Sequence, residues 1–578
     1  MILKHMRHKL ISFIVTLLIA LPCWAQANDF GIAMHGDPAL KYGDHLPYAN
    51  INAPQGGILK QGYVGTFDTI NPFTIKGKAA QGLNFFYDRL TIRSWDEPFT
   101  LYPLIAEHIS TPADRSSITF TIDKRATFND GSPITAHDVA FSFETLRDKG
   151  RPNMRQVYKM VTKFDVPNDH TITFYLGADR TRESVMIIAM MPVLSKSYWS
   201  QHNFDTTTFD IPVSNGPYKI KSIDAGRRIV FEKDKNYWAK DLPHLHGLYN
   251  FNQISFDYFR DDGVAFEAFK SGDIDIRTEI DPAKWQTSYK GLRIDNGQIQ
   301  KHIIPHHRTE RMWGFIFNTR RAPFENGNVR KALSLAIDRP WINKNLFHNQ
   351  YKLTNSFFAN SDLSFVQSDI SERDVRTKLK EADSLLKQAG WIIKGGRRIN
   401  KNTQKQLTFE ILIGSPEDEK IALAYKRTLM RLGVDVRLRS LDSTSFRDRL
   451  MRYDYDMALY FWQNSLSPGT EQALNFGCKA ANEDGRFNYA GICTKEIDNI
   501  VYKLPDIATR DGLVASTRAL DKLLIDATIA IPLFQAGVDR IAADKRIGIP
   551  SAPALYGTVF EALWDKDQNK NTTNNAPK

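Results

Sequence analysis

A chain of 578 residues is too long for one hydrophobic core, so two or more large lobes are expected. With 42% hydrophobic and 24% charged residues the composition is that of an ordinary globular protein, which excludes a disordered or fibrous chain. The net charge of +11 comes from basic residues interleaved with acidic ones, which reads as a solvated surface; no nucleic-acid motif accompanies it.

At the N-terminus Lys4, Arg7 and Lys9 precede a short apolar run from Ile11 to Ala20, and Ala25-Gln26-Ala27 follows. Residues 1–27 are therefore predicted to be a cleaved signal peptide, with the mature chain starting near Asn28 in an exported, soluble form. Pro22 ahead of Cys23 argues against lipoprotein processing. Cleavage lowers the net charge to +8 and leaves two cysteines, Cys478 and Cys493, 15 positions apart. In an oxidising compartment these are expected to form a disulfide. A metal pair is the alternative, but no histidine lies near them in sequence.

Downstream, strand-like and helix-like stretches alternate, which indicates a mixed α/β protein. The segments 118–122 (ITFTI) and 171–176 (TITFYL) alternate as strands. Thr135 caps a helix opening at Asp138, VRKALSLAI (329–337) is an amphipathic helix, and 381–389 is a helix with Gly390 as its C-terminal glycine. A strand at 407–413, a helix through Leu432-Gly433 and a strand at 434–438 predict a parallel β-α-β unit. The polar tail 565–578 is expected to fray.

Several motifs, in order, resemble those of the family 5 extracellular solute-binding proteins, which include oligopeptide, dipeptide and nickel binders. They are Phe86-Tyr87-Asp88-Arg89-Leu90 with Leu104-Ile105-Ala106-Glu107, then TFNDGSPITAHDVAFSF (127–143), then SNGPY (214–218) with Asn236-Tyr237-Trp238. FEAFKSGDIDI (266–276) follows, and then Phe317-Asn318-Thr319, Pro323-Phe324, Val329-Arg330-Lys331-Ala332 and Ala336-Ile337-Asp338. The opening GIAMHGDPALKYGDHLPYANINAPQGG (31–57), Ser465 to Gln472, and Asn488 to Ile492 are similar to the Yej-type subgroup, associated with oligopeptide and microcin C uptake. Most of these signatures are turns and caps. Asn129-Asp130-Gly131, for example, is a tight turn, so the motifs speak for the fold rather than for the ligand.

The resemblance implies an α/β, two-lobed periplasmic binding protein (type II, cluster C) with an extra subdomain inserted in the first lobe. The expected divisions are 28–74 and 196–306 for the first lobe, 75–195 for the insert, 307–534 for the second lobe, and 535–578 for the return to the first lobe and the tail. It also implies ligand capture between the lobes, with a peptide backbone held like an added strand.

Two segments match that role: Lys76, Gly77 and Lys78 after Asn71-Pro72, and Phe461, Trp462, Gln463, Asn464 and Ser465, with Ser467 and Glu471 beyond. Peptide binders of this family place an Asp three residues after the Trp to meet the ligand's ammonium; here that position is Ser465. Glu471 or Asp68 is expected to replace it, unless the amine is not buried at all. Lys76 and Lys78 suit a carboxylate- or phosphate-bearing ligand, or else are solvated rim residues. Trp462 is expected to stack on the ligand, so that Trp462→Ala weakens binding and leaves stability nearly unchanged.

The implied function is a periplasmic carrier, a monomer, that delivers oligopeptides or microcin C-like conjugates to an ABC permease, with no cofactor. Three rivals remain. A metal or metal-chelate binder would use His244 and His246, or His306 and His307. A secreted hydrolase lacks any G-x-S-x-G, H-E-x-x-H or Gly-rich phosphate loop to support it. A chaperone or sensor would use the same cleft.

Overall fold

The structure is a computed structural model that describes residues 30–366 and 372–568. The predicted signal peptide and the last ten residues of the predicted fraying tail lie outside the described residues. Among the described residues no helix is long and apolar enough to cross a membrane.

Three sheets organise the molecule. The first lobe is built on a seven-stranded mixed sheet in the order Ile299–Pro305, Val538–Asp544, Ile276–Thr278, Ile58–Val64, Gln253–Phe259, Arg228–Lys233, Tyr218–Asp224. Its central pair, Ile58–Val64 and Gln253–Phe259, is parallel. Between them in sequence lies a four-stranded antiparallel sheet, Ala106–Ser110, Ser117–Ile122, Thr171–Leu176 and Val161–Asn168, covered by the helix Ala136–Lys149. Ser117–Ile122 and Thr171–Leu176 bury every second residue, as their alternation predicts. The helix starts two residues before the position expected, because the Asp138 carboxylate accepts from the Thr135 backbone and hydroxyl and closes a capping box there.

The second lobe has a five-stranded sheet in the order Asp435–Ser440, Thr408–Ile413, Met457–Trp462, Met312–Phe317, Ala530–Pro532. The expected β-α-β unit is present: Thr408–Ile413, the helix Pro416–Met430 and Asp435–Ser440, with the strands parallel. Met312–Phe317 is buried at all six positions. Trp313, Phe315 and Phe317 enter one core, with Tyr425 of the helix, while Met312 and Ile316 enter a second core with Tyr455 and Trp462. Gly314 stands between them because a Cβ there would strike the Ile531 carbonyl of the neighbouring strand.

The lobes are joined by two chain crossings, Pro305 to Met312 and Pro532 to Val538. The crossings are tied to each other: His306 N donates to Gly537 O at 3.2 Å and Gly537 N to Glu310 Oε1 at 2.9 Å. Arg308 pairs with Asp539 at 2.6 Å. His306 is buried beside Arg308, and this desolvation lowers its pKa to about 4, so the crossing carries a neutral imidazole at neutral pH.

Cys478 and Cys493 form a disulfide that closes the loop carrying Asn488 and Tyr489. For a loop of this length, replacing both cysteines by serine should lower the stability of the second lobe by about 3 kcal/mol. Urea midpoints read with and without reductant check this; an unchanged midpoint would show that the loop is held by its hydrogen bonds alone.

Candidate functional site

A cavity of about 610 Å³ lies where the lobes face each other. The first lobe contributes Pro98 and Leu555, the second Thr354, Asn360, Asp362, Leu466 and Arg510, and the crossings His307 and Gln535. Arg510 is held by Asp362 at 2.6 Å and by the Leu466 carbonyl. The lobes also touch: Gly36 N donates to Ala508 O at 3.0 Å, and His35 Nδ1 lies 2.7 Å from Ile507 O.

The segment following strand Met457–Trp462 forms one rim, and its residues divide sharply by role. Phe461 is half-buried, stacked on Tyr460 with ring centres 4.6 Å apart, and the Arg311 guanidinium lies 5.1 Å from its ring. Trp462 does not present a face to the cleft. It is 2% exposed, packed against Phe357, Phe476 and Tyr489, and its indole N–H donates to Phe487 O at 2.8 Å. The expectation of a stacking surface with little effect on stability is corrected accordingly: strand alternation turns this residue into the second core of the lobe.

Gln463 and Ser465 are exposed. Asn464 is buried and pins the loop, donating to Phe357 O at 2.7 Å and accepting from Gln472 at 3.1 Å. Ser465 Oγ accepts from Ser467 N at 3.2 Å. The Ser467 hydroxyl is buried with no partner among the described residues.

Glu471 accepts from Gly469 N at 2.9 Å and from Gln472 Nε2 at 3.0 Å, and burial raises its pKa in spite of both bonds. Opposite stands Glu183, in the first turn of helix Arg182–Ala189 of the inserted subdomain. Glu183 Oε2 accepts from Thr470 Oγ1 at 3.4 Å. Its pKa is raised first by burial and then by the Glu471 charge. Neither carboxylate forms an ion pair among the described residues, so two acids from opposite sides of the cleft face each other with no cation between them. No motif marks Glu183. In sequence it reads as an ordinary acid complementing a helix N-terminus.

Lys76, Gly77 and Lys78 have all their described partners within the first lobe. Lys76 Nζ donates to Asp205 O at 2.7 Å and to its carboxylate at 3.1 Å, in an exposed pair. The Lys78 amide donates to Asp68 Oδ1 at 2.5 Å, and Gly77 takes φ +75°, where a Cβ would strike the same carboxylate. Asp68 is thus engaged in shaping this turn, and among the described residues no hydrogen bond or ion pair joins the turn to the 461–471 segment.

The histidine pairs gather no metal site. His244 is buried with Nε2 2.7 Å from Pro103 O, and desolvation lowers its pKa to about 4. Among the described residues no group of three metal-ligating side chains converges.

Residues 100–484 match the family model of bacterial extracellular solute-binding proteins, family 5, over more than half of the chain. The chain belongs to that family. Its members are binding proteins of ABC transporters for peptides and related ligands, and they are not enzymes. The peptidoglycan-binding protein YepA of Agrobacterium fabrum is 35% identical over 582 residues, covering 93% of this chain and 94% of that one. From the same organism, a protein named as the probable peptide-binding protein YejA is 32% identical over 608 residues, covering 98% and 99%. Among solved structures, the oligopeptide-binding protein AppA of Bacillus subtilis, in complex with a nonapeptide, superposes with a TM-score of 0.64 at 19% identity, covering 89% of this chain and all of that one. The two-lobed, type II architecture implied by the ordered motifs is therefore the observed one, and the family 5, Yej-type resemblance holds.

Proposed function

We propose that this chain is a periplasmic monomer that captures oligopeptides or peptide conjugates of the microcin C kind and hands them to an ABC importer, gripping the ligand's free amino terminus between Glu471 and Glu183. The observation that carries this reading is the acid pair itself. Two partly buried carboxylates facing each other repel, and both are held away from their ionised form by burial and, for Glu183, by its neighbour. An ammonium placed between them would remove the repulsion and form charge-assisted hydrogen bonds, each contributing about 1.5–3 kcal/mol. One acid sits on the inserted subdomain and the other on the second lobe, so the same contact would favour the closed cleft. Glu471 then takes the role vacant at Ser465. The names of YepA and YejA and the peptide bound by AppA support a peptide-like ligand. The predicted signal peptide supports the periplasmic address.

Native mass spectrometry of protein purified without refolding, followed by titration calorimetry with free and N-acetylated peptide mixtures, tests the reading. Bound peptide and a preference for free amines are expected. Glu471→Gln should weaken free-amine peptides about tenfold and leave acetylated ones unaffected. Because both acids take up protons at higher pH than an ordinary glutamate, affinity for free-amine peptides should fall as the pH drops through that raised range. A spectrum of unliganded protein alone, with no thermal shift on adding peptides, would overturn the proposal.

A further inference from the structure

A further acid without an ion pair among the described residues lies inside the first lobe. Two cavities there, of about 430 and 250 Å³, share the wall residues Asn84, Trp95, Val559 and Glu561. The larger is also lined by Gln61 and by Arg308 of the first crossing, so it adjoins the cleft. The smaller runs inward to Asp88 and Tyr249.

Glu561 stands where the two cavities meet. It is carried by the short 3-10 turn Phe560–Ala562 on the chain's return to the first lobe, and the turn is anchored by Tyr249 N donating to Glu561 O at 2.7 Å. The residue is half-buried and lines both cavities. Among the described residues it forms no ion pair, and Asn84 Nδ2 approaches its carboxylate at 3.5 Å, the limit of a hydrogen bond. Aromatic rings surround it: Trp95 lines both cavities, Phe85 the larger, and Tyr48 and Tyr249 the smaller.

Among the described residues none of the nearby arginines pairs with Glu561. The Arg93 guanidinium lies 4.8 to 4.9 Å from the Trp95, Phe99 and Tyr556 rings and donates to Tyr556 Oη at 2.8 Å. Arg308 is bound to Asp539. Arg89, which also lines the smaller cavity, forms no ion pair with Glu561 among the described residues. A buried carboxylate without a counter-ion is costly, and aromatic faces attract cations, so carboxylate and rings together select a positive group.

We propose that the junction of these cavities, with Glu561 at its centre and Trp95, Phe85, Tyr48 and Tyr249 around it, is a subsite for a cationic side chain of the bound peptide, an amine or guanidinium on a flexible apolar arm. This rests on the peptide-binding reading and adds a sequence preference to it. The aromatic walls would cover the methylene arm, while the acid would meet the charged head.

Titration calorimetry with tetra-alanine peptides carrying lysine or uncharged, similarly shaped norleucine at position 2, 3 or 4 tests the subsite. At one of these positions the wild type should favour lysine at least tenfold. Arginine against citrulline at the same position should show the same preference. Glu561→Gln, which keeps the shape and removes the charge, should abolish the preference and leave affinity for the norleucine peptide unchanged. Equal affinity of the wild type for lysine and norleucine at all three positions would overturn the subsite and leave peptide binding standing. Failure of every peptide to bind would overturn both.

Discussion

Trp462→Ala is expected to lower the unfolding free energy of the second lobe by about 3–5 kcal/mol, the range for removing a buried aromatic side chain from a core. The indole is surrounded by Phe357, Phe476 and Tyr489, and its N–H is the partner of the Phe487 carbonyl, so truncation leaves both a void and a carbonyl deprived of its donor. Denaturant unfolding should show a lower midpoint. Calorimetry below that midpoint should show peptide affinity within about twofold of the wild type. Trp462→Phe, which keeps most of the apolar volume, should recover much of the loss. A midpoint unchanged by Trp462→Ala, with affinity collapsing, would return Trp462 to the ligand's surface.

Asp88→Asn should stabilise the first lobe by about 4 kcal/mol at pH 8 and by very little near pH 4. Asp88 is 5% exposed, and its carboxylate accepts from Tyr237 Oη at 2.7 Å. Burial outweighs that bond and raises its pKa from 3.8 to about 7. As the pH rises above 3.8 the unfolded chain loses this proton first, so folding becomes less favourable by roughly 1.4 kcal/mol per pH unit until the folded carboxyl also ionises near 7. Asparagine retains an acceptor for the Tyr237 hydroxyl and titrates in neither state. The difference in unfolding free energy between variant and wild type, followed in urea from pH 4 to pH 8, should therefore widen up to about pH 7 and level off. A constant difference would show that Asp88 is ionised in the folded chain throughout.

Much of the fold was legible because local physics decides it. Thr135 and Asp138 make a capping box wherever they stand three apart at a helix start, and the alternation in 117–122 and 171–176 needs only a sheet with one buried face. The β-α-β unit around Pro416–Met430 followed from its flanking apolar strands and Gly433. The ordered motifs from Phe86 to Asp338 added the two-lobed family architecture, and Cys478 and Cys493 pair as their number and spacing suggested.

The candidate site was legible only in part, because it is assembled from residues far apart in sequence. Glu471 could be picked out beside the vacant Ser465. Whether Asp68 competes with it depended on the Lys78 amide, and Lys76 could be judged only once Asp205 was seen beside it. Trp462 looked the same in sequence whether it faced ligand or core, and its side of the strand was settled by the aromatic residues brought in from 357, 476 and 489. Glu183 and Glu561 carry no motif. Their lack of a counter-ion is a property of packing across 288 and 477 positions, to Glu471 and Asn84 respectively. Sequence by itself determined the capped helix, the alternating strands, the disulfide and the family, since these rest on short-range chemistry and ordered motifs. Only the tertiary structure decided which acids are buried without a cation, because desolvation and the absence of a partner depend on everything that surrounds a carboxylate and on nothing written next to it.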